Sequence, residues 1–302
     1  MTPLAVILVT ISAFIHALWN LLGKRHNPST AFFFLAAVFA ALCFSPLLLV
    51  YHEVFSFIPG RVWLWVILTS IFEAIYFIGL AGAYRHGDMS VAYPLARAIP
   101  VVLVTIITTI LGLGKSLSLI GVVGIVMVVL GCLLLPLRSL REVHLQDYLT
   151  ACCLLAGLAG MGTAGYTLVD NQALLEIRSA AGIGLAKVEV AFFYLTLGSL
   201  GIAIAMGVAV IASRFEREAL IHTWRAGKGM AFITGLLIMG SYGLVLAAME
   251  YASNVSYIAA FRQVSIPIGA ILGIAIQREA SYPIKIASIV IIFAGLVLIA
   301  LV

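Results

Sequence analysis

Charge is what this sequence has least of. Asp, Glu, Lys and Arg make up 10% of its 302 residues, against roughly 25% in a soluble globular chain. That is too little polar side chain to cover a water-facing surface, which excludes a soluble enzyme, a nucleic-acid binder and a disordered tail together. Cysteine is sparse too. Cys43, Cys132, Cys152 and Cys153 lie inside apolar runs with no Cys-x-x-Cys spacing, so neither a disulfide framework nor a zinc site is expected, and all four read as small buried hydrophobes. Residues 1–22 lack a basic leader and an Ala-x-Ala cleavage site and read as a retained first span. Catalytic and nucleotide motifs are also missing. GLGKS (112–116) imitates the end of a phosphate loop, but Thr109 stands where that loop needs a glycine. Gly160-x-Gly162-x-x-Gly165 sits inside an apolar run with no strand before it. Nothing here asks for an enzyme, a cofactor, a metal or a nucleic-acid partner.

What the chain has is apolar length: 64% of its residues are hydrophobic. A helix needs about 20 such residues to cross a bilayer core of ~30 Å, and ten stretches qualify. They cover 3–22, 30–50, 62–83, 89–111, 117–136, 148–169, 185–212, 229–250, 255–276 and 283–301. The expected fold is an all-α polytopic membrane protein of ten transmembrane helices, with the lipid bilayer as its solvent. The widest polar break, 213–228, reads as a short interfacial helix. Trp63, Trp65 and Trp224, near span ends, read as interfacial anchors.

The two halves resemble each other. AYRHGDMSVAYPLAR (83–97) aligns without gaps on AMEYASNVSYIAAFR (248–262), and VVLGCLLL (128–135) matches IFAGLVLI (292–299). Upstream, AFIHALWNLL (13–22) is set against MGTAGYTLVD (161–170), with Trp19 opposite Tyr166. This reads as a duplicated five-helix unit, 1–147 and 148–302. Five is odd, so the second copy enters the membrane in the opposite sense. Such inverted repeats place a binding site near the midplane, where the copies meet. Basic residues crowd the loops after odd-numbered spans, eleven against four, which sets those loops in the cytoplasm and both termini outside.

Arg97 and Arg262 end the matched motifs about a third of the way into their spans. An arginine at mid-span costs about 2.5–3.5 kcal/mol on insertion scales, so each needs water, an anion or a counter-charge. One reading makes them cavity cations that grip a carboxylate or phosphate; the other makes each half of a structural ion pair. Glu73, at the centre of its span with Tyr76 one turn along, could neutralise Arg97, hold an ammonium or take up a proton. Ser12, His16, Trp19 and Asn20 form a polar-aromatic stripe on the first span, and Thr163, Tyr166 and Asp170 form its counterpart on the sixth. These stripes read as cavity walls or as interhelical hydrogen bonding. Pro94, Pro100 and Pro267 cluster around the arginines, and the glycines at 157, 160, 162, 165, 198, 201 and 207 read as close-packing sites.

HALWN (16–20) with Lys24-Arg25, then AYRHGDMSVAYPLAR and AAFRQVSIPIGAILG (259–273), resembles the drug/metabolite transporter superfamily in its EamA-type branch. The resemblance extends over nearly the whole chain. It implies transport of a small metabolite, often efflux, through a cavity lined by both repeats in a bacterial-type plasma membrane. Tyr93, inside the first motif, joins the candidate lining on that ground. The last helix of each repeat would lie at the periphery, near any homodimer contact.

Overall fold

The computed structural model describes residues 1–24, 29–86, 89–113, 116–134, 137, 150–180, 184–268 and 282–301, without the side chains of 20–24 and 89–95. Among the described residues every regular element is helical and no strand is present. The helices are α1 (Pro3–Lys24), α2 (Thr30–Phe44), α3 (Pro46–Val50), α4 (Gly60–His86), α5 (Met89–Ile110) and α6 (Leu119–Leu134). They continue with α7 (Ala151–Ser179), α8 (Lys187–Ala212), α9 (Arg214–Ala226), α10 (Lys228–Met249), α11 (Val255–Phe261) and α12 (Pro283–Ala300).

Local chemistry sets the boundaries. Ser29 caps α2 by accepting from the Phe32 N–H at 3.1 Å, and Asn254 caps α11 through the Ser256 N–H at 2.8 Å. Pro46 cannot continue the ladder of α2, so the chain restarts there as α3 and Thr30–Val50 forms one bent span. Gly112, with φ of +62°, makes the turn after α5 in a conformation that side chains disfavour.

Among the described residues six spans are long and apolar enough to cross a membrane: Thr30–Val50, α4, α7, α8, α10 and α12. Shorter apolar helices lie at Pro3–Trp19, Ala96–Ile110 and Leu119–Leu134. Large apolar side chains cover the outside as well as the core; Leu119 is 80% exposed, Leu49 77% and Ile110 76%. Such a surface suits lipid and not water. The protein is an integral membrane protein with several spans.

Three expectations are corrected. Cys43 is exposed on the outer face of α2, unlike the three buried cysteines, because it falls beside Leu42 on the lipid-facing side. The sixth span does not stop at 169 but runs to Ser179, with Asp170 inside the helix and buried against α8 and α10. The stretch 255–276 does not hold one α-helix, because α11 tightens into a 3₁₀ turn at Arg262–Val264 before helix resumes at Ser265. Pro267 has no N–H to give the Gln263 carbonyl, which weakens the α ladder there. Residues 269–276 lie outside the described residues.

Glycine lets backbones meet. A Cβ on Gly162 of α7 would stand 2.7 Å from the Phe72 carbonyl oxygen and the Tyr76 nitrogen of α4. Gly124 of α6 faces the Gly295 carbonyl of α12 in the same way, at 2.8 Å. Gly160, Gly165 and Gly201 are as tight against side chains and Gly207 less so, with the Phe34 ring 3.1 Å away, whereas Gly157 and Gly198 meet single side-chain tips only at ordinary contact distance.

Candidate functional site

Helices α1, α2, α4, α7, α8 and α10 surround a central cavity that α5 reaches through Arg97 and the chain after α11 through Arg262. The cavity has a volume of about 80 Å³, where one water needs about 10–15 Å³, so it has room for several waters. His16, Trp19, Glu73, Tyr76, Arg97, Tyr166, Asp170 and Arg262 all line it. The helical spacing of 16 and 19, and of 73 and 76, turns each pair to one side of its helix. Asn20 and Tyr93 belong to α1 and α5, but their side chains lie outside the described residues.

Arg97 is buried and held from two sides. Its Nη2 donates to His16 Nε2 on α1 and, at 3.3 Å, to the Ser265 hydroxyl. Accepting from a guanidinium requires an unprotonated Nε2, so the ring proton of a neutral His16 sits on Nδ1. Among the described residues Glu73 has no ion-pair partner, although it is buried.

Arg262 lies among aromatic rings. Its Cζ is 5.8 Å from the Tyr166 ring centre and 5.3 Å from that of Tyr242, within the reach of cation–π attraction. Its Nη2 also donates to the Tyr166 hydroxyl at 3.4 Å. Tyr76, Tyr166 and Tyr242 meet edge to face, at 6.0 and 5.3 Å between neighbouring centroids. Behind them, Asp170 accepts from the Tyr194 hydroxyl at 2.8 Å and from that of Tyr242. A buried carboxylate is tolerable when its oxygens are bonded in this way.

Trp19 closes another wall, with its ring edge-on to His16 at 4.8 Å and to Phe33 at 6.4 Å. Its indole N–H is buried and has no hydrogen-bond partner among the described residues. Ser12 is spent on packing: its hydroxyl donates to the Ser241 carbonyl of α10 at 2.6 Å.

Sequence reasoning missed Tyr194, Tyr242 and Ser265. Tyr242 was within reach, since the spacing that pairs Arg97 with Arg262 also pairs Phe77 with Tyr242, and a hydroxyl gained there is a signal. Tyr194 and Ser265 carry no local pattern; only tertiary packing brings them in. The arrangement can hold a charged or dipolar solute between guanidinium and carboxylate groups, with aromatic faces for its apolar part. It contains no grouping that would hold a metal among the described residues.

The fold and the cavity thus define a helical membrane protein built around a central chamber lined by charged and aromatic side chains. Residues 3–137 match the EamA-like transporter family, and the match is consistent with a member of the drug/metabolite transporter superfamily. A solved crystal structure overlays this chain with a TM-score of 0.63 at 14% identity, over 98% of this chain and 96% of that one. At that identity the likeness is one of fold. No curated protein matches the sequence.

Proposed function

We propose that the protein is a ten-helix secondary transporter, built as inverted repeats at 1–147 and 148–302, which exports a small organic anion or zwitterion by alternating access. Packing supports the duplication. Helix α4 lies on α7 as α10 lies on α1, and α4 lies on α8 as α10 lies on α2. The pairs α2–α8 and α6–α12 join equivalent elements of the two halves. Exchanging the halves maps these particular contacts onto one another. Ten spans follow if α2 and α3 count as one and the segment opening at Val255 as the ninth.

The observation that carries the solute class is that Arg97 and Arg262 line one cavity, with Tyr166 and Tyr242 beside Arg262. Guanidinium groups bind carboxylates and phosphates through paired, charge-assisted hydrogen bonds. The test is uptake of labelled anionic, zwitterionic and cationic metabolites into proteoliposomes. Losing one charge-assisted bond costs about 1.5–3 kcal/mol, so Arg97→Ala and Arg262→Ala are each expected to lower anion uptake roughly tenfold or more. A second reading is export of cationic or amphipathic compounds recognised by Glu73, which is buried beside Tyr76 and Phe77 with no ion-pair partner among the described residues. It wins if both arginine variants keep uptake while Glu73→Gln abolishes it. A vesicle that moves nothing from the panel sinks both and leaves a membrane scaffold.

A further inference from the structure

We infer that the outward face of α9 binds the headgroups of anionic phospholipids. This helix joins two membrane spans through single residues, Ser213 after α8 and Gly227 before α10, so both of its ends are tethered at the level where those spans leave the bilayer. Its start is fixed by Ser213, whose hydroxyl accepts from the Glu216 N–H at 3.4 Å.

The two sides of α9 are chemically different. On the inner side Glu216 and Thr223 are buried. One Glu216 oxygen accepts from the Ala31 N–H at the start of α2 at 2.9 Å, and the other takes the Arg85 guanidinium from the end of α4 at 2.7 Å. On the outer side, at steps of three and four, stand Arg214, Arg217, Ile221, Trp224 and Arg225, and Lys228 follows at the start of α10. That spacing sets them along one stripe. Ile221 and Trp224 are more than half exposed, at 56% and 52%.

Charge complementarity selects the occupant. Four cations share the stripe, and the acid within reach, Glu218, answers only Arg214, at 3.2 Å in an exposed pair. The cations are also positioned. Lys228 Nζ stands 5.7 Å above the Trp224 ring, that ring stacks on Phe39 of α2, and the Arg217 guanidinium donates to the Ile211 carbonyl at the end of α8. A helix that alternates arginine with an aliphatic and an indole side chain, lying at the bilayer surface, matches the boundary where phosphate groups meet acyl chains. Clusters of four or more basic residues beside a span attract acidic lipid through the negative potential of its surface.

Native mass spectrometry of the purified, delipidated protein, offered equal phosphatidylglycerol and phosphatidylcholine, tests this. Wild type should retain several times more phosphatidylglycerol adducts. Neutralising the stripe (Arg214→Gln, Arg217→Gln, Arg225→Gln and Lys228→Gln together) should lower that preference roughly tenfold, to the phosphatidylcholine level, while the triple Arg→Lys change at 214, 217 and 225 keeps it. Arg61→Gln, an exposed cation elsewhere, should leave it unchanged. Wild type alone provides a second check: raising ammonium acetate tenfold must weaken the preference, because screening shortens the reach of exposed charges. A neutralised stripe that retains the phosphatidylglycerol preference overturns the inference, as does a preference indifferent to salt, or wild type with no preference at all.

Discussion

At the scale of single residues, the cavity is organised by groups that hold other groups. His16 fixes the Arg97 guanidinium from α1, while Tyr194 and Tyr242 fix the Asp170 carboxylate from α8 and α10. Removing a holder should therefore weaken function without removing a charge. His16→Ala frees one donor of Arg97 in a buried setting, and a hydrogen bond to a charged group contributes about 1.5–3 kcal/mol. Uptake in proteoliposomes is expected to fall roughly tenfold or more, and His16→Gln, which can still accept, to recover much of it. Equal loss in both variants would separate His16 from the positioning of Arg97. Asp170→Asn leaves one carbonyl oxygen for two tyrosine donors, so a lower thermal midpoint in detergent, corresponding to about 1–3 kcal/mol, is the expected outcome; an unchanged midpoint would show that the tyrosines find other acceptors.

At the scale of elements, close approach decides the architecture. Helices α4 and α7 touch through Gly162, where a methyl group would stand 2.7 Å from backbone atoms of Phe72 and Tyr76. Backbone cannot yield as a side chain does, so Gly162→Ala must push the helices apart. Overpacking of this kind costs about 1–3 kcal/mol and should appear as a lower midpoint of thermal unfolding, whereas Gly157→Ala, in ordinary contact, should have little effect. Much of this level was legible in the sequence. Apolar runs mark the start of nearly every span, and the wet, charged stretch from 213 marks α9. The end of α7 was not legible, because the charges at Asp170 and Glu176 break the apolar run while the helix continues to Ser179. The turn at Arg262 was hidden too, since Pro94 and Pro100 sit in α5 while it stays helical from Met89 to Ile110. A proline's effect depends on what else can bond the freed carbonyl. Charge in an apolar run pointed to several residues that line the cavity, whereas Tyr194, Tyr242 and Ser265 join the site through neighbours that only tertiary packing supplies.

At the scale of the whole molecule, half-buried ion pairs fasten helix ends. Glu216 joins the ends of α2 and α4, and Arg178 at the end of α7 meets Glu250, the first residue past α10, at 2.6 Å. Lys187 at the start of α8 adds a bond to the Glu250 carbonyl at 2.9 Å. Burial lifts the Glu250 carboxyl above its ordinary value of 4.5, and Arg178 pulls it back down. A carboxyl raised on folding contributes fully below its unfolded value and loses that contribution as pH rises through the folded one. Arg178→Gln removes the opposing pull, so its destabilisation should be larger at pH 8 than at pH 5. Thermal melts at the two pH values would show this; an equal loss at both would mean that Glu250 stays solvated.

The contact between Gly124 and Gly295 has a mechanical consequence. Two helices whose main chains already touch can neither draw closer nor slide a bulkier neighbour between them, so α6 and α12 behave as a single keel. Any rocking of the halves about the chamber must then leave that keel at rest and be taken up by the helices on the far side of it.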